Sequence, residues 1–152
     1  MENNSRNIKE RTIENFLNKY GTYKIGIRNC QQQLDYMLPS LTCRYESDGT
    51  SASYYIANNT ERVALDRITS KKALDLLEEM EQFRLIVACI DNAMAELSEK
   101  ERDFVRNRYF LGLKMYEVKD KMNVAEERTL YRIRRVVLEK LMISLSSLTN
   151  LK

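Results

Sequence analysis

The chain has 152 residues, which is enough for one ordinary domain or two small ones. Charged residues make up 31% of the sequence, whereas glycine and proline are scarce and histidine is absent. This composition favours an all-helical protein, and it removes the side chain that most often serves as a general base or a metal ligand.

Cysteine usage and hydropathy indicate a cytoplasmic protein. The three cysteines show no paired spacing, which is typical of a reducing compartment. The sequence has no signal peptide, no lipidation motif and no apolar run approaching about 18 residues. We therefore expect no membrane partner.

The first long helical segment is predicted between Ile13 and Met37, where apolar residues recur at steps that alternate between three and four. These residues are Ile13, Phe16, Tyr20, Tyr23, Ile27, Cys30, Leu34 and Met37. The spacing is a heptad seam over about three repeats. Gly21 and Gly26 weaken the helix, and we expect Pro39 to end it.

A polar connection is predicted over residues 40–59, with Tyr45, Tyr54 and Tyr55 interleaved. A connection of this length in a small helical protein is either disordered or functional. Its aromatic side chains could stack on bases, fill a groove in a partner, or pack onto the neighbouring helices. The last of these is the favoured interpretation.

A second heptad seam follows a helix start near Asn59 or Thr60. Its members are Leu76, Met80, Phe83, Val87, Ile90, Met94 and Leu97. The two seams predict a long antiparallel helical hairpin over residues 1–96. Apolar residues off the seam, such as Leu77 and Leu85, predict a second covered face. That face would pack on the C-terminal domain or on a second copy in a homo-oligomer.

Residues 97–152 form the second predicted domain. Ser98 and Glu101 have capping-box spacing at the start of its first helix. A short helix over Lys114 to Met122 follows the break at 111–113, and Asn123 begins a tight turn. The third helix starts near Glu126 and runs past Leu141, with a buried stripe of Leu130, Ile133, Val137 and Leu141. This order predicts a helix-turn-helix.

The opposite side of the third helix is basic. Residues 98–141 carry twelve basic and eight acidic side chains, net +4. Phosphates dominate affinity for nucleic acid, and the first half of a recognition helix reads base edges. The candidate DNA contacts on this helix are Glu127, Arg128, Tyr131, Arg132 and Arg135. Further candidate phosphate contacts are Lys114, Lys119, Lys121 and Arg106. Arg134 lies near the apolar stripe, so we expect it to snorkel or to pair with an acidic residue of another helix.

This stretch resembles the promoter-reading region four of sigma-70 family factors, and still more closely the phage-encoded late-gene transcriptional regulators of the ArpU/RinA type. The resemblance covers about 45 of the 152 residues. It rests on residues 97–102, Arg108-Tyr109-Phe110, Gly112-Leu113, Glu117-Val118, Asn123-Val124, residues 128–132 and residues 138–141. It implies a regulator that binds double-stranded DNA in a bacterial host cell and activates phage or prophage late genes. An alternative is a sigma-like accessory factor that binds RNA polymerase.

Catalytic motifs are absent from the sequence. It contains no Gly-rich phosphate loop, no nucleophile elbow and no cysteine paired with a base. We therefore expect neither enzymatic activity nor a cofactor. A scaffold that binds only protein is a further alternative, and it would make the arginine face incidental.

Overall fold

In the computed structural model, the backbone is described for residues 2–42 and 55–149, and the side chains for 6–37 and 66–148. Every regular element in those ranges is a helix, which confirms the all-α prediction. The helices are α1 (Glu2–Asn18), α2 (Tyr20–Thr42), α3 (Tyr55–Ala95), α4 (Glu99–Val105), a π-helical turn (Arg106–Phe110), α5 (Met115–Lys121), α6 (Glu127–Ser144) and α7 (Ser146–Thr149).

Two predicted helix ends are wrong. Helix α2 continues past Pro39 to Thr42, since a proline inside a helix can bend it without ending it. Helix α3 begins at Tyr55 rather than near Asn59. The predicted 40–59 connection is therefore shorter at both ends, and its central residues 43–54 lie outside the described part of the chain.

The chain divides into two compact units, Met1–Lys24 with Leu85–Lys152, and Ile25–Arg84. In the Ile25–Arg84 unit, the predicted seam residues Cys30, Leu34 and Met80 are buried together. Burial raises the pKa of the Cys30 thiol. A Cβ on Gly26 would lie 2.7 Å from a ring atom of Phe83. Helices α2 and α3 therefore approach each other closely at this glycine.

The other unit contains the larger core. Its fully or almost fully buried side chains come from α1, the end of α3, α4, the π-helical turn, α5, α6 and α7. They include Ile13, Leu17, Ile90, Phe104, Tyr109, Val118, Leu130, Val137, Leu141, Leu145 and Leu148. Helix α1 thus belongs to the same compact unit as residues 97–148, and the observed units differ from the predicted division at 96/97. The reason is that Ile13 and Leu17 are buried among the side chains of α6.

Hydrogen bonds at helix ends follow the predicted caps. Ser98 Oγ accepts from the Glu101 amide at 3.4 Å, and the Ser98 amide donates to the Glu101 carboxylate at 2.9 Å, which confirms the capping box. Leu145 and Leu148 follow Leu141 at steps of four and three and are buried in the same core, so the end of the described chain packs onto its own unit. Among the described residues, no helix is long and apolar enough to cross a membrane.

Candidate nucleic-acid interface

The connection into α5 is closed by local hydrogen bonds. Gly112 has a φ of 68°, a left-handed conformation that glycine adopts without strain. The Leu113 amide donates to the carbonyl of Asn107 at 3.1 Å, and the guanidinium of Arg108 donates to the Leu113 carbonyl at 2.8 Å. These bonds fix the start of α5 against the π-helical turn.

Helix α5 and the turn after it pack through apolar residues. Val118 is fully buried, and Met115, Met122 and Val124 are partly buried against the same core. Asn123 is at φ 55°, as predicted for the residue that ends this helix. The Val124 amide then donates to the Lys119 carbonyl at 3.1 Å. A short helix, a left-handed turn residue and a long helix therefore follow one another as the spacing predicts.

Helix α6 has one buried and one exposed side. Leu130, Val137, Leu138 and Leu141 are at most 1% exposed, and Ile133 is half-buried. The predicted outward residues Glu127, Arg128, Tyr131, Arg132 and Arg135 are all exposed. Because the core fixes the rotation of α6, these five side chains lie together on its solvent side.

The arginines of this outward face differ in their ion pairing. Arg135 donates to Glu139 at 3.3 Å, and the same Glu139 oxygen accepts from Arg6 of α1 at 2.7 Å. By contrast, no side-chain hydrogen bond or ion pair engages Arg128 or Arg132 within the described residues. These two guanidinium groups are the unneutralised positive charges of α6 nearest its start, and their donors are available to an anionic ligand.

The remaining predicted contacts lie on several elements. Lys114 precedes α5, and its amide donates to the Glu117 carboxylate at 2.6 Å while its ammonium group is exposed. Lys119 is half-buried and Lys121 is exposed. Arg106 lies on the π-helical turn, 3.8 Å from Asp103, and its side chain is 62% exposed. At the start of α6, the Tyr131 hydroxyl donates to Glu127 at 3.4 Å.

The prediction for Arg134 is confirmed. Its Nη2 and Nε atoms donate to one carboxylate oxygen of Glu14 at 2.7 and 3.1 Å. The hydroxyl of the buried Tyr109 donates to the same oxygen at 2.7 Å. Burial and this hydrogen bond to Glu14 raise the pKa of Tyr109. A single carboxylate of α1 thus joins α6 to the π-helical turn, and it engages the guanidinium of Arg134.

Sequence reasoning missed the acidic partners of this unit. Lys140 of α6 donates to both carboxylate oxygens of Glu101 at 2.8 Å, which ties α6 to the start of α4. Glu14 likewise holds Arg134, and Glu139 holds Arg6, across helices, and the sequence alone could not assign these partners. The signals in the sequence were the position of Glu14 directly after a seam residue, Ile13, and the spacing of four between Arg135 and Glu139.

An open groove of about 560 Å³ lies between α1 and α6. Its lining residues are Arg6, Asn7, Glu10, Tyr131, Arg134, Arg135 and Leu138. The three arginines of this groove pair with Glu10, Glu14 and Glu139, so acidic side chains offset its positive charge. The uncompensated charge of α6 is consequently at Arg128 and Arg132, on the part of the helix nearer its start.

Metal-binding side chains do not cluster within the described part of the chain. Comparisons with models of known protein families, with curated proteins and with solved structures give no match to this chain. The resemblance to the phage regulators and to sigma region four therefore stays a prediction from the residues quoted above.

Proposed function

We propose that this protein is a sequence-specific DNA-binding transcription regulator that inserts α6 into the major groove. The resemblance extends this proposal to an activator of phage or prophage late genes that acts in the cytoplasm of a bacterial host. In this proposal the Ile25–Arg84 unit mediates oligomerisation, residues 97–152 bind DNA with α1 packed against them, and no catalytic step is involved.

The observation that carries the proposal is the pair of unneutralised arginines on α6. Helix α6 buries one side in the core and presents Arg128 and Arg132 on the other, one helical turn apart. Arginine forms paired hydrogen bonds with the O6 and N7 atoms of guanine, and an arginine without an internal ion pair breaks no such pair when it binds a base or phosphate.

The other side chains take subsidiary roles. Glu127 can accept a hydrogen bond from a cytosine amino group, with the Tyr131 hydroxyl beside it. Arg135, Lys114, Lys119, Lys121 and Arg106 would contact phosphates and set the orientation of α6 on the duplex.

The deciding experiment is selection of bound duplexes from a random DNA pool, performed at low and at moderate salt. A sequence-specific DNA-binding protein enriches a defined motif at both salt concentrations. A motif with two half-sites reports the symmetry of the bound oligomer. If the protein retains only bulk DNA, and moderate salt releases all of it, sequence-specific recognition is wrong.

Substitution of Arg132 tests its role on the selected motif. Arg132→Ala should weaken specific binding by about 1–3 kcal/mol if its guanidinium contacts a base. Arg11→Ala is the matched control, because Arg11 is an exposed arginine of α1 without an ion pair among the described residues. A folded Arg132→Ala variant that binds as tightly as the control would contradict the assignment.

A second candidate function is a sigma-like accessory factor that binds RNA polymerase. Two large apolar side chains near the start of α5 favour it, since Leu111 is 59% and Tyr116 is 56% exposed. Exposed aromatic and other large apolar side chains are found in protein-binding surfaces. Retention of purified core polymerase by the protein, together with loss of retention in Leu111→Ser/Tyr116→Ser, would support this candidate.

A further inference from the structure

The side of α3 that faces away from its core is a stripe with separate basic and acidic halves. Arg67, Lys71, Leu74, Glu78 and Glu81 follow one another at steps of four and three, and all five are exposed. At about 100° per residue this spacing aligns them along one face of the helix. The buried Met80 and half-buried Leu76 lie on the opposite face, so the core of the unit leaves the stripe uncovered.

Apolar surface accompanies these charges. Leu74 lies at the centre of the stripe and is 66% exposed, and Leu77, three residues later, is 41% exposed. An open groove of about 450 Å³ runs beside Leu74, lined also by Arg67, Ser70 and Lys71. A partner that covered the stripe would remove this apolar surface from water.

We propose that a second copy of this chain covers the stripe, with the two α3 helices antiparallel about a twofold axis. A twofold axis brings the same patch of both copies together, so the patch must complement itself. Antiparallel pairing satisfies this requirement, because it sets Arg67 and Lys71 of one chain opposite the acidic half of the other. The leucines of the two chains meet between these charged ends.

The internal ion pair on the stripe does not prevent this pairing. Glu81 accepts from Arg84 of the same helix at 2.7 Å, and the two side chains are 63% and 48% exposed. An exposed pair at this spacing contributes little stability, so Glu81 can exchange Arg84 for a basic residue of the partner at small cost. Glu78 has no side-chain partner among the described residues.

Charge reversal distinguishes antiparallel pairing of two chains from binding of another partner to the stripe. One variant carries Arg67→Glu/Lys71→Glu and the other Glu78→Lys/Glu81→Lys. In each variant alone, antiparallel pairing sets like charges against each other at both ends. In a mixture of the two, every pairing is again between opposite charges.

The experiment is analytical ultracentrifugation of the full chain, from micromolar to millimolar concentration, with helix content checked by circular dichroism. We expect the unmodified chain to self-associate, each variant to associate about tenfold or more weakly, and the mixture to recover association. Lys72→Glu and Glu79→Lys are the matched controls, since both residues are exposed on α3 but lie off the stripe.

Three results would overturn the proposal. They are a monomeric unmodified chain over the whole concentration range, unchanged association in both variants, and a mixture that associates no better than either variant alone. This proposal rests on the oligomerisation role proposed above. None of these measurements uses DNA, so their failure would leave the proposed DNA binding by α6 untouched.

Discussion

Replacement of Glu14 tests whether one carboxylate holds α1, α6 and the π-helical turn together. Glu14 accepts from the Tyr109 hydroxyl at 2.7 Å and from two nitrogen atoms of Arg134 at 2.7 and 3.1 Å. Tyr109 is only 4% exposed, so water cannot readily replace the lost acceptor in Glu14→Ala. Water can replace the lost carboxylate more readily at Arg134, because the Arg134 side chain is 34% exposed.

The expected loss of folding stability follows from the burial of Tyr109 and the partial exposure of Arg134. A buried donor left without a partner costs about 1–3 kcal/mol. The partly exposed ion pair to Arg134 adds no more than about 1 kcal/mol, because solvent screens it. Glu14→Ala should therefore lower the free energy of unfolding by about 1–4 kcal/mol, which corresponds to a fall of roughly 2–16 °C in Tm for a chain of this size.

Urea denaturation followed by circular dichroism measures this loss. Glu14→Gln should lose less than the alanine variant, because its amide oxygen can still accept from Tyr109. A double-mutant cycle of Glu14→Ala with Tyr109→Phe should give a coupling energy of about 1 kcal/mol or more, since both changes remove the same bond. Additive effects, or a loss below about 0.5 kcal/mol in Glu14→Ala, would refute the reasoning.

The remaining predictions concern glycine packing and pH. Gly21→Ala should raise the free energy of unfolding by up to about 1 kcal/mol, because no atom lies within 4 Å of the added Cβ. Gly26→Ala should instead lower it by about 1–2 kcal/mol, because the methyl group meets Phe83 at 2.7 Å. Urea denaturation of both variants distinguishes the two signs, and equal stabilisation by both would contradict the packing at Gly26. Burial and a hydrogen bond to Asp91 raise the pKa of Tyr20 to about 12 from 10.0. The unfolded chain therefore ionises first, and stability should fall as pH rises from 10.0 to about 12. Tyr20→Phe should reduce that fall, and an unchanged pH profile would argue against it.

Local patterns in the sequence predicted the helices and their buried faces. The step of three and four residues is a property of the helix itself, so it located the buried seam at Cys30, Leu34 and Met80 without knowledge of their partners. The capping box at Ser98 and the left-handed Asn123 are also local, because each depends on a few neighbouring residues. For the same reason the exposed face of α6 could be predicted before its surroundings were known.

Tertiary structure decided which partner Arg134 has. Arg135 pairs with Glu139 four residues later in the same helix, a spacing that the sequence shows, whereas Arg134 pairs with Glu14 of α1. The pair between Arg134 and Glu14 joins residues 120 positions apart, and no local spacing encodes such a contact. The sequence by itself thus determined that α6 has a basic face. Arg128 and Arg132 have no ion pair among the described residues. The packing of α1 against α6 determined that Arg134 pairs with Glu14, because this ion pair depends on distance in the folded chain and not on separation along it.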